Sequence, residues 1–322
     1  MVTELPDGLR EGIVFRVSSG NYFVRAHDAG EVVCKLRGNL KKELVYSTSD
    51  SRAKRVDQAR KRRSTDPIAV GDRVRIDADL GMIEEIMPRH SELSRYASGQ
   101  RGQHVLVANL DQFYVVVAAD NPPPDLWLMD RFLVMAEAAE IPCGVLVNKM
   151  DRVEGDETHV RAMAALYEKI GYPVRCVSAK RGGGLDALRE ALLGRISAFA
   201  GPSGVGKSSL LNALQPGLRL KTAQNEEVLP GGRHTTTTAE LIPWPGHDDT
   251  WVADTPGLRQ VEFWEVDRDD IPFCFPEFAP YLPECRFHNC RHHTELGCAV
   301  RAAVDEGHID AHRYQSYLQM TD

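Results

Sequence analysis

Residues 201–208 read Gly-Pro-Ser-Gly-Val-Gly-Lys-Ser, and this stretch decides the central fold. An apolar run at 196–200 precedes it, and a helix-like segment at 209–214 follows it. A strand, a glycine-rich loop and a helix in this order predict a phosphate-binding loop, because glycines let backbone N–H groups wrap an anion at the start of a helix. We expect Lys207 to reach the β- and γ-phosphates of a nucleotide and Ser208 to ligate Mg²⁺. The candidate phosphate-binding residues are Gly201, Pro202, Ser203, Gly204, Val205, Gly206, Lys207, Ser208 and Ser209.

Two further motifs precede this loop in the chain. The segment Asn148-Lys149-Met150-Asp151 follows an apolar run at 143–147, and Ser178-Ala179-Lys180 follows one at 174–177. Ligands bind at the carboxyl ends of strands in open α/β sheets. A carboxylate at 151 can accept hydrogen bonds from N1–H and the exocyclic amine of guanine, and adenine offers neither donor in that arrangement. The pattern therefore favours GTP over ATP, with the backbone of 178–180 near the guanine O6.

Two more stretches complete a guanine-nucleotide site downstream of the loop. The segment Asp254-Thr-Pro-Gly257 ends another apolar run, so we expect Asp254 to hold Mg²⁺ through water and the Gly257 N–H to contact the γ-phosphate. Residues 231–238 read Gly-Gly-Arg-His-Thr-Thr-Thr-Thr, a composition typical of a mobile loop that offers a threonine to Mg²⁺. The sequence does not choose among Thr235 to Thr238.

The order of these motifs is unusual. In an ordinary small GTPase the phosphate-binding loop comes first, whereas here the motifs at 148 and 178 precede the loop at 201. The sequence therefore predicts a circularly permuted domain, which is tolerated because domain termini lie at the surface. Apolar runs at 113–118, 143–147 and 174–177 alternate with helical patterns at 126–139 and 160–170, which predicts a parallel sheet covered by helices.

The amino-terminal part has a different character. Short β-branched and aromatic runs predict five strands and a small β-barrel of the OB type, although an SH3-like barrel would give a similar pattern. The predicted strands span residues 12–17, 22–26, 31–36, 73–77 and 82–86. Residues 1–101 hold 19 Lys and Arg against 15 Asp and Glu, while the remainder holds 20 against 31. The basic stretch 51–65 is interpreted as a mobile loop that contacts a phosphate backbone, with a solvated loop as the alternative.

Three cysteines and a histidine lie within fourteen residues near the carboxyl terminus. Cys285, Cys290, His292 and Cys298 supply soft ligands that fit a closed tetrahedral zinc site of structural type. His288 and His293 are substitutes for His292. Cys274 is expected in apolar packing, and residues 299–318 are expected to be helical.

Composition bounds the class of protein. The chain has 322 residues, which predicts two or three domains, and its 43% hydrophobic and 26% charged residues are typical of globular proteins. Its apolar runs fall short of the ~20 residues that span a bilayer, and its start lacks the features of a secretory signal. We therefore expect a cytoplasmic protein without a membrane partner.

The combination resembles the bacterial ribosome small subunit-dependent GTPase A family over nearly the whole chain. The resemblance rests on the motifs at 148–151, 201–209, 232–237 and 254–257, and on Cys-Arg-Phe-x-x-Cys-x-His-x-x-Glu-x-x-Cys-Ala-Val at 285–300. Pro202 stands where family members often carry Gln. Leu258 stands where many GTPases have a water-orienting Gln, so intrinsic hydrolysis should be slow; His234 is the candidate to position water, unless it contacts rRNA or packs the loop.

The resemblance implies three domains: an OB-type RNA-binding barrel at 1–98, a circularly permuted GTPase domain at 99–267 and a mostly helical zinc domain at 268–322. It implies that the family's zinc ligands correspond to Cys285, Cys290, His292 and Cys298. It also implies GTP hydrolysis stimulated by the small ribosomal subunit during late maturation and coupled to release. The expected cofactors are GTP or GDP, Mg²⁺ and one structural Zn²⁺; the expected partners are that subunit, its rRNA and other assembly factors, with the chain as a monomer.

Two other functions fit parts of the pattern. A binding module would keep GTP as a structural ligand, and would retain it stoichiometrically where an enzyme turns over repeatedly. A P-loop enzyme acting on a small molecule would use ATP, which competition between GTP and ATP would reveal.

Overall fold

The computed structural model describes residues 8–37, 42–46, 56–61, 67–96, 103–153, 155, 157–215, 239–254 and 266–322. The chain forms two compact units. One comprises the described parts of 1–110, 235–243 and 253–257, and the other those of 111–234, 244–252 and 258–322. The predicted domain limits at 98/99 and 267/268 stay a prediction.

The first unit contains a five-stranded barrel. The described strands of this unit are β1 (Leu9–Ser18), β2 (Asn21–Ala26), β3 (Gly30–Leu36), β4 (Lys42–Tyr46), β5 (Val56–Lys61), β6 (Arg73–Asp77), β7 (Met82–Ile86), β8 (Glu92–Tyr96) and β9 (Gln103–Ala108). The pairs β4–β5 and β8–β9 form separate two-stranded sheets outside the barrel. The hydrogen-bonded order β1-β2-β3-β7-β6 closes on itself because β6 also pairs with β1. Only the β3–β7 pairing in this circuit is parallel, with Lys35 opposite Met82. The five predicted strands are confirmed, and the closed barrel is of OB-like type.

Alternation along the strands gives the barrel its core. In β2, Tyr22, Val24 and Ala26 are buried while the residues between them are partly exposed, as a strand with one face toward a core requires. Val14, Cys34, Val74 and Ile83 complete this core from neighbouring strands. The period of two in these runs therefore accounts for the buried face of each strand.

The basic stretch differs from its prediction. Residues 56–61 form β5, which pairs antiparallel with β4, so the expectation of a loop is wrong for this part. The residues at alternate positions, Val56, Gln58 and Arg60, are not all apolar, so the sequence lacks the two-residue hydrophobic period of a strand. Pairing with β4 forms the strand despite this polar composition. Residues 51–55 and 62–65 lie outside the described residues.

The second unit contains a parallel sheet with helices. Its elements in chain order are β10 (Gln112–Ala118), α1 (Leu126–Ala138), β11 (Cys143–Asn148), α2 (Thr158–Ile170), β12 (Val174–Cys176), α3 (Leu185–Leu192), β13 (Ile196–Ala200), α4 (Lys207–Leu214), β14 (Glu240–Trp244), β15 (His247–Asp254), α5 (Ala299–Asp305) and α6 (Ala311–Thr321), with parts of β14 and β15 assigned to the first unit. The sheet order is β12-β11-β10-β13-β15, and the first three of these pairings are parallel. The predicted alternation of strands and helices is confirmed.

Burial follows the sequence runs. Every residue of β10 and β13 is buried, which matches their continuous apolar character in a sheet covered on both faces. Leu185, Leu188 and Leu192 of α3 pack on the same core at helical spacing, although this helix was not predicted. Its eight residues are too short to give a strong periodic signal.

The carboxyl-terminal segment holds two helices rather than the single predicted one. Gly307 has φ of 75° and ends the first, and Asp310 caps the second by accepting hydrogen bonds from His312 N and Arg313 N. Short 3₁₀ turns at Ile271–Cys274, Pro276–Phe278 and Leu282–Glu284 precede them. In the parts of the chain that the structure describes, no helix combines the length and apolar character needed to cross a membrane.

Candidate nucleotide site and metal centre

The phosphate-binding loop leaves the buried strand β13 through a glycine that no other residue could replace. Gly201 has φ of 142°, and a Cβ there would lie 2.2 Å from the carbonyl oxygen of Val116 on the neighbouring strand. Gly204 and Gly206 also have positive φ, at 83° and 95°. The three glycines therefore bring the loop close to the sheet and turn it into α4, whose first N–H groups are left for an anion.

Lys207 begins α4 and crosses back over the loop. Its Nζ donates to the carbonyl oxygens of Gly201 at 2.6 Å and Pro202 at 2.9 Å. Ser208 is partly exposed beside it, and Ser209 is exposed. The ammonium and the serine hydroxyl thus flank the mouth of the loop, where phosphates and Mg²⁺ would meet them.

Asn148 joins the three predicted nucleotide motifs. Its side chain is 1% exposed, and Nδ2 donates to the Val205 carbonyl oxygen of the loop at 3.0 Å. Its Oδ1 accepts from the backbone N–H of Ala179 at 3.2 Å. A Cβ at Gly206 would lie 2.6 Å from Nδ2, which adds a reason for glycine there. The sequence segments at 148, 178 and 205 therefore meet at one amide.

Lys149 packs over the loop from the other direction. Its backbone is left-handed, with φ of 63°, and its Nζ donates to the Gly204 carbonyl oxygen at 2.5 Å and to that of Asn121. Burial lowers the pKa of Lys149, and Arg152 adds to this effect. Asn121 was missed from the sequence because only its backbone takes part.

Asp151 is oriented by a serine from the next strand. The Ser178 hydroxyl donates to Asp151 Oδ1 at 2.6 Å, and this bond lowers the pKa of Asp151. Ser178 is buried and in turn accepts from the backbone N–H of Arg181 at 3.0 Å. Met150 N donates to the carbonyl oxygen of Val177 at 3.2 Å, which fixes the turn before the carboxylate. The Asp151 carboxylate therefore stays ionised at neutral pH and has a fixed orientation.

The remaining predicted residues are described only in part. Asp254 is the last residue of β15 and is partly exposed, and Lys180 is exposed. The segment 231–238, with His234 and the four threonines, and Gly257 lie outside the described residues. The structure therefore brings the segments at 148–151 and 178–179 to the phosphate-binding loop, and the roles of all the predicted site residues stay predictions.

The four metal-ligand candidates converge. One ligand atom from each of Cys285, Cys290, His292 and Cys298 lies within 4.8 Å of the others. His292 Nδ1 lies 3.5 Å from Cys285 Sγ and 3.4 Å from Cys298 Sγ. Tetrahedral zinc with bonds of ~2.0–2.3 Å places its ligand atoms ~3.5–3.8 Å apart, so the donor set and these two distances from His292 fit zinc.

The surrounding residues hold this cluster and exclude the alternative ligand His293. The hydroxyls of Tyr314 and Tyr317 donate to the carbonyl oxygens of His292 and Arg291, both at 2.6 Å. His293 Nε2 instead lies 2.8 Å from the Thr321 hydroxyl. His288 is exposed and is absent from the cluster. Outer partners of this kind fix the orientation of metal ligands.

The ligand loop is tightened by backbone hydrogen bonds. The Glu295 carboxylate accepts from the N–H groups of Arg291 at 2.7 Å, His293 at 2.9 Å and Thr294 at 3.0 Å. Cys298 caps α5, and its Sγ accepts from Arg301 N at 3.5 Å.

A phosphate-binding loop whose base-recognition motifs precede it in the chain defines a circularly permuted P-loop GTPase. The comparison with protein families gives the same answer, since the model of the RsgA GTPase matches residues 86–264. This chain belongs to the RsgA GTPase family and is a GTP hydrolase, which acts on GTP with Mg²⁺.

Relatives are similar over nearly the full length. The small ribosomal subunit biogenesis GTPase RsgA of Bacteroides fragilis is 40% identical over 317 residues, which cover 97% of this chain and 96% of that protein. The protein of the same name from Gemmatimonas aurantiaca is 41% identical with the same coverage. The matched residues therefore span nearly the whole chain, from the amino-terminal barrel to the cysteine cluster.

Solved structures agree with the fold. The crystal structure of YjeQ from Thermotoga maritima matches with a TM-score of 0.75 and 33% identity, covering 97% of each chain. That of YloQ, described as a circularly permuted GTPase, matches with a TM-score of 0.71 and 28% identity, covering 99% of this chain and 96% of that one. The fold class predicted from the sequence is confirmed, and the ATP-using enzyme and the non-catalytic module are set aside.

Proposed function

We propose that this chain hydrolyses GTP on the small ribosomal subunit during its late maturation, with hydrolysis stimulated by the subunit and coupled to release. The relatives at 40% and 41% identity carry the name of small ribosomal subunit biogenesis GTPases. The observation that carries the nucleotide part is the Asn148 amide, which ties the phosphate-binding loop to the guanine-recognition motifs.

Each motif has a role in this proposal. The Lys207 ammonium exchanges its two carbonyl partners for β- and γ-phosphate oxygens when nucleotide binds. Ser208 and Asp254 hold Mg²⁺, directly and through water. Asp151 accepts from N1–H and the amino group of guanine, and Ala179 offers its backbone near O6. One nucleotide can reach both groups of residues, because the base-recognition residues already share hydrogen bonds with the phosphate-binding loop.

Coupling of hydrolysis to release rests on the permuted order. The segment after Gly257, whose N–H is expected at the γ-phosphate, leads directly into the carboxyl-terminal segment. His234 positions the attacking water, in place of the glutamine that Leu258 replaces. Loss of the γ-phosphate would then release the contact at Gly257 and change the affinity of the chain for the subunit.

The other parts supply contacts with rRNA. An OB-like barrel commonly binds nucleic acid, and the front of the chain carries the excess of basic residues. The carboxyl-terminal region, stabilised by zinc on Cys285, Cys290, His292 and Cys298, forms a second anchor. Zinc here has a structural role, because four protein ligands leave no open position. The chain acts as a monomer in the cytoplasm, alongside other assembly factors of the small subunit.

GTP turnover with and without purified small subunits tests this function. We expect subunits to raise turnover of the wild-type chain many-fold, and Lys207→Ala to abolish it. Arg161→Ala on the exposed face of α2 is the matched control, since it also removes a cation but lies outside the site. Equal turnover with and without subunits would contradict the proposed coupling, while leaving the hydrolase itself in place.

A further inference from the structure

Two large apolar side chains are exposed on the loops that carry the metal-ligand candidates. Phe287 is 45% exposed and Leu296 is 76% exposed. The backbone N–H of Arg286 donates to the carbonyl oxygen of Gly297 at 3.1 Å, so the segments that carry the two side chains lie together. Apolar side chains exposed together, rather than singly, indicate an interaction surface.

Backbone contacts hold these two segments in place. Gly297 has φ of 76°, and a Cβ there would lie 3.1 Å from the Cβ of Arg286, so glycine is favoured at this close approach. The N–H of Cys290 donates to the carbonyl oxygen of Phe287 at 3.2 Å, which closes a turn. The surface is therefore formed before a partner binds, and such preorganisation lowers the cost of binding.

Positive charge surrounds the exposed ring. The guanidinium carbon of Arg286 lies 5.5 Å from the centre of the Phe287 ring, and the side chain of Arg291 is exposed on the same loops. Residues 285–304 contain three arginines and a single acid, Glu295. That carboxylate already accepts three backbone N–H groups, as described above. The surface therefore complements an anionic partner.

An aromatic ring beside arginines is a combination that suits single-stranded RNA. Unpaired bases stack on aromatic side chains and guanidinium planes, while arginines bind the adjoining phosphates. We propose that Phe287 stacks on an unpaired RNA base and that Arg286 and Arg291 contact the neighbouring phosphates, with Leu296 extending the apolar surface. We take the rRNA of the small subunit as the source of that base, and to this extent the assignment rests on the proposed function.

A second exposed phenylalanine provides the matched control. Phe273 is 72% exposed, but Asp267, Asp269 and Asp270 precede it closely in the chain. The N–H of Phe273 donates to the carbonyl oxygen of Asp270 at 3.1 Å, which keeps the ring beside this acidic segment. Negative charge there opposes the approach of a phosphate backbone, so Phe273 should not contact RNA.

Equilibrium binding of the full chain, loaded with a non-hydrolysable GTP analogue, to purified small subunits tests this surface. We expect Phe287→Ala to weaken binding at least about fivefold, since stacking on one base is worth that much or more. Phe287→Leu, which keeps an apolar side chain but cannot stack, should lose as much, whereas Phe287→Tyr should stay within about twofold of wild type. Phe273→Ala should bind like wild type. Zinc content and fluorescent GDP binding should be unchanged in all four variants, which shows that they are folded.

Ultraviolet irradiation of the wild-type complex identifies the partner directly. We expect mass spectrometry to find the peptide that contains Phe287 joined to a nucleotide. A peptide joined to a ribosomal protein instead, or Phe287→Leu with wild-type affinity, would overturn the stacking and indicate an apolar protein contact. Unaltered binding by Phe287→Ala would overturn the surface alone and leave the proposed function in place. A wild-type chain that does not bind subunits would overturn both.

Discussion

Arg313 donates from Nη1 to Oδ1 of Asp130 at 2.7 Å, and both side chains are fully buried. The two residues are 183 positions apart, Arg313 on α6 and Asp130 on α1. Glu277 accepts from Arg313 Nε at 2.6 Å, and the Tyr167 hydroxyl donates to the same Asp130 oxygen at 2.6 Å. The Phe275 ring lies 4.5 Å from the guanidinium carbon. A buried charge cluster therefore fixes α6, the last helix of the chain, to α1.

Replacing Arg313 by methionine should destabilise the chain strongly. The substitution leaves Asp130 and Glu277 as neighbouring carboxylates without their cation, and removing one partner of a buried ion pair costs about 3–5 kcal/mol. Urea unfolding in the presence of GDP measures this loss. Arg313→Lys restores the charge without the planar fork and should recover part of it.

An exposed ion pair provides the comparison for Arg313. Arg161 and Glu157 lie 2.7 Å apart on the surface of α2, with 77% and 41% of their side chains exposed. Arg161→Met should therefore cost at most about 1 kcal/mol, because solvent already screens the pair. Similar losses in the two variants would show that the buried cluster gives no special stability.

The stability of the barrel should depend on pH through Cys34. Burial raises the pKa of this thiol to about 11, above its ordinary value of 9.0. Because the folded-state pKa is the higher one, the neutral thiol contributes stability that is complete below pH 9 and is lost as the pH rises through about 11. Cys34→Val removes the titrating group and keeps the volume.

The measurement is the free energy of unfolding near neutral pH and at about pH 11, for the wild type and for Cys34→Val. The wild type should lose about 2 kcal/mol more than the variant over this interval. Lysines and tyrosines titrate in both proteins, so the difference between the two isolates Cys34. Parallel pH curves would show that the pKa of the Cys34 thiol is the same in the folded and the unfolded chain, so that burial does not raise it.

Local sequence patterns predict most of the fold, but they do not predict contacts between residues far apart in the chain. The five barrel strands and the strands of the parallel sheet were predicted because their apolar residues recur with a clear period or form continuous runs. Residues 299–318 were predicted as one helix, and the break between the two helices is visible only with Gly307 in its left-handed conformation and the Asp310 cap in place. The polar strand at 56–61 depends on its partner at 42–46.

The candidate site likewise contains residues that the sequence predicts and contacts that it does not. Lys207, Asp151 and Asn148 were found from spacing, since each motif needs fixed residue types at fixed positions. The contact of Lys149 with Asn121 uses a carbonyl oxygen, which leaves no trace in the side-chain sequence. The buried cluster around Arg313 joins residues of no known motif, and an isolated arginine in a helix reads as surface charge.

Zinc content should depend on Cys298 and not on Cys274. Both cysteines are buried, yet only Cys298 belongs to the four-residue cluster, whereas Cys274 Sγ lies 3.4 Å from the carbonyl oxygen of Asp270. Purified wild-type chain should carry one zinc by atomic emission, and Cys298→Ala should lose it and become more sensitive to trypsin after residue 286. Cys274→Ala should keep the metal.

The contrary results for zinc are specific. Equal metal content in the two cysteine variants would show that the cluster does not select its ion through Cys298. Wild-type chain without zinc that nevertheless resists trypsin would show that packing of Phe275 and Phe278 holds this region without metal.

Asp151→Asn should change the nucleotide that the enzyme prefers. The carboxylate oriented by Ser178 suits two donors on guanine, N1–H and the 2-amino group. Asparagine offers one acceptor and one donor, which suits xanthine, where an oxygen replaces the amino group. In the variant the amide N–H₂ faces the guanine amino group, so GTP loses one hydrogen bond and leaves a donor opposed to a donor.

We expect kcat/KM for GTP to fall at least about tenfold in Asp151→Asn, and that for xanthosine triphosphate to rise above it. Turnover of each nucleotide with small subunits present measures both values. Asp186→Asn, at a 93% exposed aspartate on α3, makes the same chemical change away from the site and should keep the preference for GTP. If Asp151→Asn also keeps that preference, the base does not lie against residue 151, and the guanine pocket must be sought elsewhere around the loop.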